Sequence, residues 1–336
     1  MDRETWERFI QEHPDWNLYP SPPDERDYPL QAIGIDTTIP VQKRVMLPDP
    51  PFILDQGNTP ECVGATGTGI LNAYFARKGT LPPGGLSMNY LYQRCKQEDE
   101  IPDVDGTYPR VALKIMQKEG VCSERLYPFN SKLSITPEMR QEALNYRIKA
   151  YARLYGLQQV KQALSQGKYV FIGTIVTKTN WHDNTKDGGF LGLPEGAILG
   201  GHATWLKGYD DNLGFRSFTG YLRGVNSWGE SWGDKGSYWM PYEYVSWRLL
   251  DLPDFQAFQE AWAVEFDEPA KQEKVIEMQI GKREAVVDGQ KVVLDQEPYI
   301  NPQTSRTLVP LRFIAEQMGA DVGWDPKTQK IRITMG

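Results

Sequence analysis

Asn226-Ser227-Trp228-Gly229-Glu230-Ser231-Trp232-Gly233 is the stretch on which the fold of this 336-residue chain is decided, because of what stands in order before it. An asparagine among glycines and serines ordinarily caps a turn. The serine, tryptophan and glycine that follow at once argue for another task. Gly200-Gly201-His202-Ala203 places His202 24 residues before Asn226, Cys62 lies 140 residues before His202, and Gln56 stands six residues ahead of Cys62.

Each residue type suits one role in a nucleophilic site. Cys62 would attack, His202 would carry the proton, and Asn226 would accept the other ring N–H of His202, orienting the imidazole without adding a charge. Gln56 would donate its side-chain N–H to an oxyanion, beside the backbone N–H of Cys62. His202 is one of three histidines. His13 sits in a polar, proline-flanked stretch and reads as a solvated surface residue, and His182, in Asn180-Trp181-His182-Asp183-Asn184, reads as a loop residue. A lone histidine on an apolar strand is more often a satisfied core residue, but the paired glycines before His202 let another backbone or a substrate approach.

Only the thiolate attacks, and a free thiol with a pKa of about 8.5 is mostly protonated at neutral pH. A helix N-terminus and a neighbouring imidazolium both lower that value. The run from Val63 to Phe75 predicts a helix over 62–78 that opens at Cys62. Its interior glycines cost about 1 kcal/mol each against alanine, so this reading requires another segment packed closely against a face without side chains. Taken alone, Cys62 would read as an inert buried thiol.

Local context carries a family resemblance. Asp55-Gln56-Gly57 with Cys62, Gly200-Gly201-His202-Ala203 with Gly208-Tyr209-Asp210, and Asn226-Ser227-Trp228-Gly229 with Trp232-Gly233, Gly236 and Tyr238 together resemble the three catalytic segments of papain-like cysteine peptidases. Asp105-Gly106-Thr107 falls where that family's substrate-binding glycines lie, and Leu126-Tyr127-Pro128-Phe129 is similar to its tyrosine-proline segment. The resemblance covers roughly residues 20–265. It implies an α+β, two-lobed fold with a helical lobe, a β-barrel-like lobe and a cleft between them. It implies Cys62, His202, Asn226 and Gln56 as catalytic residues, with Gly106, Thr107, Gly201 and Trp228 around a peptide substrate. Trp228 would shield the His202–Asn226 bond. No cofactor and no metal are implied.

The chain departs from the family pattern beside the nucleophile, with Pro60, Glu61 and Val63 where glycine, serine and tryptophan are usual. A carboxylate at 61 would disfavour the thiolate if it faced the cleft; turned away, it would be an ordinary acidic residue at a helix start. The long His202-to-Asn226 interval implies an extended hairpin through Asp211-Asn212-Leu213-Gly214 and Phe218-Thr219-Gly220.

Composition fits a globular protein with a sizeable core: 40% of residues are hydrophobic, 24% are charged and the formal net charge is −7. That charge argues against a nucleic-acid partner. No apolar run reaches the length of about 18 residues expected of a transmembrane helix. Met1 to Arg8 lacks the basic start and apolar run of a signal peptide, which predicts a cytoplasmic chain by default. Three cysteines cannot all pair within one chain. Cys95 and Cys122 match the family's paired cysteines poorly, so free or buried thiols are expected.

Along the chain, residues 1–50 read as an extended, proline-rich lead-in, similar over Tyr19 to Tyr28 to that of bacterial papain-like proteins. It is too short, and lacks the long amphipathic helices, to resemble the family's inhibitory pro-segment. Residues 51–266 form the peptidase-like domain, with helices expected over 62–78, 87–98, 108–119, 137–147 and 156–166 and strands over 169–176, 202–209, 221–226 and 236–240. Residues 267–274 read as a linker.

Residues 275–336 form a separate small α+β module. Short strands are expected at Ile276–Ile280, Ala285–Val287 and Val292–Leu294, with a turn at Asp288-Gly289. A helix follows from Thr307 to a stop at Gly319, then two closing strands. The pattern resembles the stalk domain named after the amino-terminal domain of copper amine oxidase, appended to exported proteins of Gram-positive bacteria. The module has no histidine, so no copper site is expected. It is either a cap that stabilises the rest or a docking module for a cell surface or particle. The second choice conflicts with the missing signal peptide unless a leader is lost, export is unconventional, or the setting is a phage or intracellular system. Two rival readings stand beside the peptidase: an inactive papain-fold binding protein, and an amidase or transpeptidase, which uses the same dyad but usually lacks the asparagine loop.

Overall fold

The computed structural model describes residues 8, 12, 16–22, 24, 27, 30–182, 187–248, 256–267, 276–287, 289–318 and 320–335. His13, Pro23, Asp183, Asn184, Asp288, Gly319 and linker residues 268–274 lie outside them. The chain divides into two units, residues 1–267 and 268–336.

In the first unit the helices come early: α1 (Cys62–Arg77), α2 (Met88–Lys96), α3 (Pro109–Lys118), α4 (Pro137–Ala143) and, later, α5 (Gly156–Ser165). The glycines of α1 are used on three sides. A Cβ at Gly64 would lie 2.6 Å from the Met88 carbonyl of α2, one at Gly67 2.7 Å from Leu91 and 2.8 Å from Met116, and one at Gly69 2.8 Å from the Trp205 indole nitrogen. The helix is therefore buried nearly all round, which offsets the propensity lost to glycine. Ser87 caps α2 by accepting from the Tyr90 N–H, and Thr136 caps α4 by accepting from the Met139 N–H.

The strands form one antiparallel sheet: β1 (Arg44–Met46), β2 (Ala150–Leu154), β3 (Val170–Thr177), β4 (Ile198–Phe215), β5 (Phe218–Val225), β6 (Ser237–Pro241) and β7 (Phe258–Glu265). Its order is β2-β7-β3-β4-β5-β6, with β1 on β4. All eight residues of β3 are buried because each face meets a different core. Val170, Ile172 and Ile175 pack with Trp181, Tyr209 and Tyr244, while Phe171 packs with Cys62, Leu91, Leu113 and Trp262. Alternation along a strand thus ties the helical lobe to the sheet lobe. The long β4 continues into β5 through Arg216, whose φ of 53° makes the hairpin turn. β2 and β7, which pair with each other from Ala150↔Glu265 to Leu154↔Ala261, are additions to the expected strands. The three cysteines are free and buried.

The second unit holds a three-stranded antiparallel sheet, β8 (Ile276–Met278), β9 (Glu284–Val287) and β10 (Gln290–Val293), followed by the short pair β11 (Tyr299–Ile300) and β12 (Thr307–Leu308). Helix α6 (Leu311–Gln317) and the hairpin β13 (Ala320–Asp325) with β14 (Lys330–Met335) complete it around Ala315, Ala320 and Val322. The helix starts after Pro310 rather than at Thr307, because Thr307 and Leu308 pair with Ile300 and Tyr299 and proline sets the helical start.

Candidate active site

Cys62 is the first residue of α1 and is fully buried. Backbone N–H groups of Ala203, the residue after His202, and of Val63 point at its sulfur and favour the thiolate. Burial outweighs them and pushes the thiol up to about 12. The thiol donates to the Asn17 carbonyl at 3.3 Å. Glu61 precedes α1 without capping it. Its buried carboxyl faces Glu124, and burial together with that neighbour raises it from 4.5 to about 7.

His202 lies on β4 opposite Thr174 of β3. Its Nε2 and the Asn226 Oδ1 are 2.8 Å apart, leaving Nδ1 for the other side of the ring. Asn226 is fixed in turn: its Oδ1 also accepts from the Ser227 N–H, and its own N–H donates to the Gly236 carbonyl. Gln56 joins this cluster from the other lobe. Its N–H donates to the Ser227 carbonyl, its Oε1 accepts from the Ser227 hydroxyl at 2.6 Å, and its Nε2 donates to the Thr59 carbonyl at 2.8 Å. A second Nε2 hydrogen remains for another acceptor. The four catalytic candidates of the sequence thus gather along one groove.

That groove is filled by the chain itself. Leu18 bridges Thr107 in parallel, and the Tyr19 N–H donates to the Thr107 carbonyl at 3.2 Å. Gly106, at a φ of 76°, lies so close beneath that an added Cβ would be 2.5 Å from the Asn17 carbonyl. A Cβ on Gly201 would overlap the Leu18 carbonyl oxygen. The substrate-binding candidates Gly106, Thr107 and Gly201 therefore line the path taken by residues 16–19, and Trp228 tilts over the His202 ring at 4.8 Å. Just beyond, the segment is anchored: Ser21 donates to Glu260 through its N–H (3.0 Å) and its hydroxyl (3.3 Å), and Arg110 pairs with Asp27 at 2.7 Å.

Trp181 is a site residue that the sequence does not announce. It stands edge-on to His202 at 5.5 Å, stacks on Trp232 at 5.7 Å and donates to the Tyr244 hydroxyl at 3.3 Å. It comes from the turn Lys178–His182, where Asn180-Trp181-His182 has no periodicity to mark it as core. Among the described residues no three His, Cys, Asp or Glu side chains are grouped to hold a metal ion.

The papain family cysteine protease model matches residues 52–246, more than half of the chain. The chain belongs to the papain family of cysteine proteases. An uncharacterised peptidase C1-like protein of Acanthamoeba polyphaga mimivirus is 28% identical over 246 residues, covering 67% of this chain and 75% of the viral protein. Xylellain, a cysteine protease from Xylella fastidiosa, shares the fold at a TM-score of 0.61 and 23% identity, over 75% of this chain and 96% of its own. The cysteine protease and lectin-like domains of a surface layer associated protein of Clostridium difficile align at a TM-score of 0.58 and 18% identity, over 83% of this chain and 62% of that one. The copper amine oxidase N-terminal domain model matches residues 264–333 of this papain-family chain. That segment carries neither histidine nor cysteine, so it lacks the imidazole and thiolate ligands that suit copper.

Proposed function

We propose that this papain-family protein is a cysteine endopeptidase in which Cys62, His202, Asn226 and Gln56 carry the reaction. The observation that supports it is the connected set just described: a thiol at a helix start beside the backbone of Ala203, His202 bonded to Asn226, and Gln56 bonded to the residue after Asn226. His202 would take the thiol proton. The thiolate sulfur then bonds to the substrate carbonyl carbon, and the oxygen becomes an oxyanion facing the free Nε2 hydrogen of Gln56 and the Cys62 N–H. Such donors are each worth about 2.7–4 kcal/mol. Collapse expels the amine, which takes the proton from His202, and leaves a thioester. Water, deprotonated by His202, attacks that thioester and returns the thiol.

For a substrate to enter, residues 16–19 must leave the groove, because their backbone occupies the Gly106–Thr107 edge and their Asn17 carbonyl binds the thiol. The form described is therefore closed, and turnover requires this segment to open. The experiment is labelling of the reduced chain with a peptidyl epoxide, read by mass spectrometry. Adduct at Cys62 alone, lost in His202→Ala, is expected, together with loss of hydrolysis of an unstructured protein in Cys62→Ala. No adduct after the segment has been loosened would favour the binding-protein reading, for which the full burial of Cys62 speaks.

A further inference from the structure

Among the described residues, Gly106 and Thr107 form an edge without strand partners of its own beyond the N-terminal segment, its Gly106 N–H directed at the Tyr92 hydroxyl. Thr107 lies outside the named strands, and its ladder contact among the described residues is the bridge to Leu18. The segment that delivers the edge, from Gln97 to Asp105, is irregular, with Glu100 in the left-handed region at a φ of 60°. Loops of this kind open locally unless something ties them.

One side chain gathers three carbonyls of this one. Lys96, the last residue of α2, donates through its ammonium to the carbonyls of Ile101 (2.8 Å), Val104 (2.9 Å) and Gly106 (3.1 Å). Its nitrogen also lies 3.0 Å from the Asp99 carboxylate, whose side chain is fully buried and accepts from the Ile101 N–H at 3.1 Å. An ammonium has three N–H donors, and here three carbonyls from one loop converge on it. A lysine ending a helix ordinarily caps that helix's own last carbonyls. These three acceptors all lie beyond α2, so capping does not explain the arrangement. A guanidinium would not replace it, since its donors lie in a rigid plane.

We infer that Lys96 is a positioning residue for substrate: its ammonium sets the height and register of the Gly106–Thr107 edge, and so where an extended peptide lies relative to Cys62. The chain's own residues already show the edge in use, because Tyr19 donates to Thr107 and Asn17 rests on Gly106. Displacement of a bound peptide by about 1 Å typically costs about 100-fold in rate, so one loop anchor can govern presentation without touching the substrate. The inference rests on the peptidase reading for its role in turnover, but its geometric half stands apart from it.

The test is Lys96→Met in the full chain, with two reagents on Cys62. Iodoacetamide needs an open groove and a reactive thiol, whereas a peptidyl epoxide also needs the backbone edge. Their rate ratio cancels any change in opening. The expected result is a fall of at least about tenfold in the epoxide-to-iodoacetamide ratio, with kcat for peptide hydrolysis falling by more than KM rises. A ratio unchanged within about twofold would overturn the inference. Hydrogen exchange gives a readout free of chemistry: the amides of Tyr19 and residues 100–107 should exchange faster while those of β3 do not. Unchanged exchange at Tyr19 would overturn the inference even in a chain whose Cys62 never reacts, and failure of both reagents would count against the peptidase reading alone. Should Lys96→Met not fold, Asp99→Asn, which removes the charge partner and leaves the ammonium, is expected to shift both readouts in the same direction by less. No shift in either would overturn the inference.

Discussion

The Cys62 thiol donates to the Asn17 carbonyl at 3.3 Å, so the hydrogen of the candidate nucleophile is engaged by the chain's own N-terminal segment. Trp16 and Leu18, the buried side chains on either side of Asn17, hold that carbonyl in place. Large-to-small changes at such positions cost roughly 2–5 kcal/mol each, and here the loss falls on the closed state. Trp16→Ala with Leu18→Ala is expected to raise the rate of Cys62 alkylation by iodoacetamide by at least about tenfold, with Cys95 and Cys122 still protected. A rate equal to that of the parent chain would show that residues 16–19 do not limit access.

Gly201 tests the same contact from the opposite wall. Any Cβ there overlaps the Leu18 carbonyl, so Gly201→Ala must either lift the segment or bend β4. Faster alkylation of Cys62 combined with slower peptide hydrolysis is expected, because a substrate backbone meets the same methyl group. Rates that move together in both assays would place the close approach elsewhere.

The 2.8 Å His202–Asn226 contact yields a prediction with a sign. A carboxylate in place of the amide would favour the imidazolium, raising the pKa of His202. In Asn226→Asp the alkaline limb of the pH–rate profile should therefore move upward, where Asn226→Ala should lower kcat without that movement. The drop for alanine is expected to be about 10²-fold, as for lost orientation of a reacting group. Profiles that coincide apart from scale would mean that Asn226 does not face the titrating ring.

Local signals and distant ones divide cleanly along this chain. The start of α1 at Cys62 is legible because its run of small and apolar residues is continuous, and the β4–β5 hairpin is legible because the His202-to-Asn226 interval leaves nowhere else for the chain to go. β2 hides because Ala150-Tyr151-Ala152-Arg153-Leu154 is rich in helix formers and becomes a strand only against β7, over a hundred residues later. β7 itself carries Glu260, a charge that reads as surface until Ser21, Arg153 and the Trp262 indole N–H are found around it. The path of residues 16–19 has no local mark at all, since its partners are Cys62, Thr107 and Gly201. The grouping of Gln56, Cys62, His202 and Asn226 was legible as an order of residue types; that the groove is closed was not.

Glu61 offers a prediction in stability rather than rate. Burial, then Glu124, raise its carboxyl from 4.5 to about 7, so the folded chain keeps a proton that the unfolded chain releases between those values. With more protons bound in the folded state, stability falls as pH rises: the contribution is whole below about 4.5 and gone above about 7. Glu61→Gln keeps the shape and cannot ionise. It is expected to change little near pH 5 and to stabilise the chain near pH 8 by roughly 1–3 kcal/mol, or about 2–4 °C in Tm per kcal/mol for a domain of this size. Thermal melts of both chains across that range decide it. A Tm difference that does not widen with pH would mean that Glu61 ionises as freely in the fold as in water.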